Sequence, residues 1–409
     1  MSGFQLLRSR QFALAFAAHG FSTFGSAMVP VALSFALVAS GRSATEIGSV
    51  LACEAAPNLL LAPVAGVIGD RWPRRTIIIC ADILRCAAQF AFFAMLASGY
   101  MPLPLLLLLA ALIGIGNTFY GPAAGGFLPQ LVAAKRLQEA NAILGMASGA
   151  ALVIAPALAG IVVGVWGPQW AIAVDAISYG VSAICIAFVN PKIVPVALAT
   201  TASFFADFRF GLKVLAQRPW MLLLVGQCAI LNVFAFPAVL ILGPLTYATT
   251  AAGAASWGFV LSACGIGGVL GGITALYWKP SNPLVVVELA ILSGIVPIAL
   301  LAAHADPTIM AIAGVMVGAT GAIGLTLLAT MIQREIPGEA LSRVYSILGL
   351  IAGGATPVGY ALVGPLAAQI GPTYLLCVSI FLVCASVCVA MMTRSIREFS
   401  AGARIPASD

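Results

Sequence analysis

The chain has 409 residues, of which 62% are hydrophobic and 8% charged, with a net charge of +6. A soluble domain carries about 25% charged residues, so this composition excludes one. The positive balance does not mark a nucleic-acid binder, because the basic residues are spread over short loops and form no single patch.

From the N-terminus, the first apolar run, Phe12 to Ala39, is too long for a cleavable signal, and no small-residue cleavage site closes it early. Twelve runs can each cross a bilayer as a helix of about 20 residues. They are predicted at 11–38, 47–68, 76–97, 103–123, 141–164, 169–189, 220–245, 256–277, 284–303, 308–331, 342–366 and 373–393. Of the 19 Lys and Arg residues, all but Arg42 and Arg85 fall on one side of this topology. That bias predicts that both termini face the cytoplasm. The one extended polar region, 191–219, contains a segment from Ser203 to Gln217 with helical apolar spacing and with Arg209 and Lys213 four apart. It is predicted to be an amphipathic helix on the inner membrane face, linking an N-terminal six-helix bundle (1–190) to a C-terminal one with a short tail (220–409). Nine cysteines lie in or beside apolar runs without metal or disulfide spacing, and read as small buried hydrophobes.

An internal repeat supports two halves. Ile143-Leu144-Gly145, Gly149, Ala157-Leu158 and Gly160 reappear 204 residues later as Ile347-Leu348-Gly349, Gly353, Ala361-Leu362 and Gly364. No lysine follows a glycine, so a phosphate-binding G-x-x-x-x-G-K-[ST] loop is absent and ATP is not the expected energy source.

The tight turn after the second span, Gly66-Val-Ile-Gly-Asp70-Arg71-Trp72-Pro73-Arg74-Arg75, resembles the G-x-x-x-D-R-x-x-R-R signature of the major facilitator superfamily. Gly66, Asp70, Arg71, Arg74 and Arg75 match it, and Pro73 stands where many members carry Gly. The resemblance implies an all-α membrane protein with 12 transmembrane helices in two pseudo-symmetric six-helix bundles. It also implies that Asp70 and the arginines form a conformational latch on the inner side. Gly149 to Gly160, with Pro156 between them, looks like a degenerate form of the antiporter G-P-x-x-G-G element, whose missing backbone donor bends a helix. Asp82-Ile-Leu-Arg85 and Asp175-Ala-Ile-Ser-Tyr179 look like the drug and metabolite exporter branch, which includes macrolide and siderophore exporters.

Intramembrane ionisable groups are costly and are functional candidates by default. Asp82 and Arg85 share a helix face and can neutralise one another. Asp175 and Glu288 lie near span ends, where a structural or interfacial role also fits; Asp175 joins the candidates for proton coupling. Glu54 has no basic residue one turn away and Asn58 four residues on, which suits a carboxyl that binds and releases a proton. His19 is a further candidate, because imidazole titrates near neutral pH. In the resembling fold, spans one, four, seven and ten line the cavity. Their polar and aromatic members are Phe21, Asn117, Tyr120, Gln227, Asn232 and Phe234, with Asn58 nearby. Amides and aromatics without Lys or Arg suit a bulky, amphipathic, uncharged ligand.

The expectation is therefore a proton-coupled exporter of amphipathic small molecules, not an enzyme. It would sit among lipids in a bacterial-type inner membrane, as a monomer, with no cofactor beyond the proton gradient and no metal. A dedicated siderophore exporter, a nutrient or lipid uptake facilitator and a non-transport membrane sensor are the open alternatives.

Overall fold

Helix boundaries follow local chemistry at the chain's polar punctuation. This computed structural model describes residues 3–191, 204–248, 253–336 and 338–397, and no strand occurs among them. The first six spans are α1 (Arg10–Ala39), α2 (Ala44–Arg71), α3 (Arg74–Ser98), α4 (Leu103–Phe127), α5 (Leu137–Trp166) and α6 (Pro168–Ala187). Ser43 opens α2 with a capping box. Its hydroxyl accepts from the Glu46 N–H while the Glu46 carboxylate accepts from the Ser43 N–H, so two helix-end donors are satisfied. Gly99 stops α3 in the left-handed region at φ 70°, a conformation that costs glycine least.

The helices that follow are α7 (Phe204–Ala216), α8 (Pro219–Ile230), α9 (Phe236–Tyr247), α10 (Gly253–Tyr277), α11 (Pro283–Ser293), α12 (Ile295–Ala302), α13 (Pro307–Glu335), α14 (Gly338–Ile370), α15 (Pro372–Met392) and α16 (Arg394–Arg397). Twelve helical stretches among the described residues are long and apolar enough to cross a membrane. The sequence predicts continuous helices over 220–245 and 284–303, and the structure interrupts both. A π-helical turn, Leu231–Ala235, separates α8 from α9, and Gly294 separates α11 from α12. Each break lies just before a proline, Pro237 and Pro297. A proline ring has no N–H to give the carbonyl four residues back and clashes with it; here those carbonyls belong to Val233 and Ser293, both at the breaks.

The chain forms two compact units. One comprises Met1–Thr201, Leu240–Ser262 and Tyr360–Pro365; the other comprises Ala202–Val239, Ala263–Gly359 and Leu366–Asp409. In the first, α6 packs on α1 and α3, and α4 packs on α2 and α3. In the second, Trp220, Met221, Leu284, Met331, Ile347 and Ile396 share one core. Val214 and Leu215 of α7 join that core while Arg209 and Lys213 stay exposed. α7 is thus amphipathic, as its apolar spacing predicts; the preceding 192–203, within the predicted linker, lie outside the described residues.

Candidate functional site

The buried polar residues of the first unit converge on one arginine. On α3, Asp82, Arg85 and Gln89 recur at spacings of three and four, which puts them on one helix face, and all three are buried. The Arg85 guanidinium pairs with the Asp82 carboxylate and donates to Asn117 Oδ1 of α4 at 3.1 Å. It is sandwiched between the rings of Tyr120 and Tyr179, each centroid 4.2 Å from Cζ. A desolvated cation–π contact of this kind is worth about 2 kcal/mol. Ser182 donates to the second Asp82 oxygen at 2.7 Å. Gly116 makes room for this, because any Cβ there would collide with the Arg85 side chain. Asp82 and Arg85 therefore neutralise each other as their spacing predicts.

Asp175 lies one layer away on α6 and is fully buried. Gln89 donates an amide N–H to its Oδ2 at 2.6 Å, and the hydroxyls of Ser26 and Ser178 approach Oδ1 at 3.5 Å. Ser26 also bonds the Tyr179 hydroxyl at 2.9 Å. α1 comes this close because residue 25 is glycine; a Cβ would strike Asp175 and Ser178. Side chains of α1, α3 and of α6 itself wrap Asp175, in keeping with the structural side of its expected role. Gln89, Ser26 and Ser182 escaped the sequence reading, although Gln89 continues the Asp82/Arg85 stripe and Ser178 and Ser182 continue that of Asp175.

Glu54 of α2 is half-buried, and among the described residues no side chain hydrogen-bonds or ion-pairs with it. It lies within electrostatic reach of Asp175, Tyr179 and Tyr360. Its backbone carbonyl rests against Gly114, so α2 and α4 meet backbone to backbone at this position. Asp82 and Asp175 thus share the field of one guanidinium already paired with Asp82, and Glu54, in reach of Asp175, has no cation of its own among the described residues. His19 stands apart from this group: its Nε2 meets Ser148 Oγ of α5 at 2.9 Å. Asn58 and Phe21 are exposed.

In the second unit, Gln227 of α8 is 3% exposed and gives its amide N–H to Glu288 Oε2 of α11 at 2.7 Å. Glu288 is fully buried, in keeping with the structural side of its expected role. Asn232 sits in the π-helical turn, donates to the Cys228 carbonyl at 2.8 Å and accepts from Thr356 of α14 at 3.0 Å. The Phe234 carbonyl, freed by the same turn, accepts from Ser379 of α15 at 2.9 Å. Asn232 and Gln227 are thus engaged within the bundle, and Phe234 is half-buried.

The loop signature is partly a set of helix-end contacts. Arg75 donates to the carbonyls of Ile186 and Ala187 at the C-terminus of α6, where a cation favours the dipole and satisfies orphan acceptors. The Arg74 guanidinium covers Gly126 of α4. Arg71 is exposed and Gly66 half-buried, and the Asp70 side chain lies outside the described residues. On α5, Gly149 is half-buried, while Pro156 and Gly160 are buried. The Ala157 N–H next to Pro156 donates to Ser262 of α10 at 2.9 Å. A Cβ on Gly160 would strike the Ala254 carbonyl, and one on Gly258 the Pro156 carbonyl, so α5 and α10 touch through their backbones.

Comparison with known proteins places this arrangement in a family. A family model described as "Transmembrane secretion effector" matches residues 1–409. Macrolide efflux protein A of Streptococcus pyogenes is 26% identical over 381 residues, covering 91% of this chain and 92% of that protein. A putative bacilysin exporter of Bacillus subtilis is 24% identical over 315 residues, covering 77% and 78%. The crystal structure of nucleoside transporter NupG superposes with a TM-score of 0.73 at 12% identity, over 95% of this chain and 100% of that one. At that identity the match shows the shared fold.

Proposed function

Because the chain belongs to the transmembrane secretion effector family of the major facilitator superfamily, a family of transporters and not enzymes, we propose that it exports amphipathic small molecules in exchange for protons. The substrate class rests on one observation, the near full-length similarity to a macrolide efflux protein. The bacilysin exporter's similarity extends the class to secondary metabolites made by the cell. Uncharged, bulky ligands fit the amides and aromatics of Asn117, Tyr120 and Phe21, which lie where the major facilitator fold places its cavity-lining spans. The protein works as a monomer in a bacterial-type inner membrane with both termini in the cytoplasm, and needs no cofactor beyond the proton gradient.

Glu54 is the first candidate for the coupling site. It is half-buried on α2, has no hydrogen-bond partner or counter-ion among the described residues, and lies beside the Asp175 and Tyr179 network. A carboxyl in that position can exist charged or protonated as the surroundings change. Asp70 is the proposed latch residue, with Arg71, Arg74 and Arg75 holding the adjoining helix ends.

The test uses purified protein in proteoliposomes loaded with a macrolide. Glu54→Gln should reduce the acceleration of flux by an imposed pH gradient, about tenfold or more, and leave substrate–substrate exchange intact. Gradient-driven flux equal to wild type would remove Glu54 from the coupling role. Mass spectrometry of the medium from cells with and without the protein then separates export of a self-made metabolite, an iron chelator included, from efflux of external drugs.

A further inference from the structure

The two units each contain one fully buried carboxyl joined to one buried glutamine, and the second of these pairs is one donor short. In the first unit Gln89 gives its N–H to Asp175 Oδ2, and Gln89 Oε1 has no hydrogen-bond partner. In the second unit Gln227 gives its N–H to Glu288 Oε2, and here both Gln227 Oε1 and Glu288 Oε1 are buried without a partner among the described residues. Asp175 has two serine hydroxyls at 3.5 Å from its other oxygen; Glu288 has none among the described residues. The two orphan acceptors belong to the two groups that one hydrogen bond already joins, so a single hydrogen shared between them would satisfy both. A buried acceptor without a donor costs about 1–3 kcal/mol, and more when it is charged.

We propose that Glu288 is a proton-binding site of the second unit, carrying its proton in a reciprocal acid–amide pair with Gln227. The proton resides on Glu288 Oε1 and is donated to Gln227 Oε1, while Gln227 Nε2 donates to Glu288 Oε2. One proton from water thereby satisfies both orphan oxygens and cancels the carboxylate charge. Its release returns the proton to water and leaves a buried charge with a single donor, which is expensive in an apolar bundle.

Among the described residues no other donor bonds either orphan oxygen. α11 packs on α12, α13, α15 and α16. The charged groups on these helices are Arg334 and Glu335 at the end of α13 and Arg394 and Arg397 on α16, and none pairs with Glu288 among the described residues. α15 offers Tyr374 and the cysteines 377, 384 and 388, α12 no titratable group, and α8 only Cys228 besides Gln227 and Trp220. The effect of this site on transport rests on the proton-coupled reading above; the binding of the proton does not.

Infrared difference spectroscopy of the whole protein in lipid nanodiscs at pH 7 reads the proton directly. Wild type should show one carboxylic-acid carbonyl band that moves in D2O and is lost completely in Glu288→Gln, a variant whose amide can replace the acid in the pair and preserve the fold. Gln227→Leu should shift this band, because the acid loses its partner. Absence of any acid band that Glu288→Gln removes would overturn the proposal, and a band unmoved in Gln227→Leu would overturn the pairing. In proteoliposomes, Glu288→Gln should reduce the protons moved per substrate by one. Wild-type flux indifferent to a pH gradient would end the coupling reading while the infrared band still decides the site.

Discussion

At the scale of single residues, Asp82 and Arg85 form a closed electrostatic unit and the carboxyls around them do not. Arg85 is held by Asp82, Asn117 and two tyrosine faces, with its Nε buried and without a hydrogen-bond partner among the described residues, so its role is to fix α3, α4 and α6 together. Breaking one partner of a buried pair costs about 3–5 kcal/mol, whereas replacing both with apolar groups of similar volume is often neutral. Asp82→Asn is therefore expected to lower the unfolding temperature in detergent by several degrees. The double variant Asp82→Asn/Arg85→Met should recover most of that loss, because methionine fills the slot between Tyr120 and Tyr179 without a charge. Asp175 lies within reach of Arg85 and moderates the single variant, so the Asp82→Asn cost belongs at the lower end of the range. A double variant no more stable than the single one would show that the pair is not the unit of stability. The Asp82/Arg85 pairing was legible from spacing alone, since three residues along a helix share a face. The partners on other helices were not, because spacing shows which residues share a face of one helix and not which helix that face meets.

Among elements, the interrupted spans carry the chemistry that uniform hydropathy hides. The predicted spans 220–245 and 284–303 are interrupted at Leu231–Ala235 and at Gly294, just before Pro237 and Pro297. Proline alone would not have located these breaks, because Pro30, Pro57, Pro122 and Pro156 lie inside unbroken helices. The π-helical turn frees the Phe234 carbonyl for Ser379 and presents Asn232 to Thr356, so α8 and α9 are held to α14 and α15 by polar contacts within one unit. Such turns are frequent at functional sites. Thr356→Val keeps the side-chain volume and removes the donor to Asn232 Oδ1. It should cost about 1–3 kcal/mol and speed hydrogen exchange in 231–240 without altering exchange in α3 or α6. Uniform loss of protection across the chain would instead mean a global defect, and unchanged exchange would mean that the turn is held by backbone geometry alone.

For the whole molecule, duplication is written in both sequence and backbone. Gly167-Pro168 and Gly371-Pro372 stand at the repeat's offset of 204, with φ of 93° and 90° at the two glycines. Each pair ends one span and begins the next, α5 to α6 and α14 to α15, and the following proline occupies the first helical position, where it needs no donor. Both units therefore use one device to reverse the chain. Reversals of this kind fix the order of the spans but not their sense across the bilayer, which the distribution of cations sets. Arg71, Arg74, Arg75, Lys135 and Arg136 lie at connections on one side, and Arg42 stands alone on the other, where it bonds Glu46 and the Met101 carbonyl. Fusions of a periplasm-active phosphatase after Gly41, Gly99 and Gly167 should be active, and those after Pro73 and Arg136 inactive. A fluorescent protein that folds only in the cytoplasm should fluoresce at the C-terminus. Activity after Pro73 would invert the topology and move the Gly66–Arg75 turn, with its arginine contacts to α4 and α6, to the outer face.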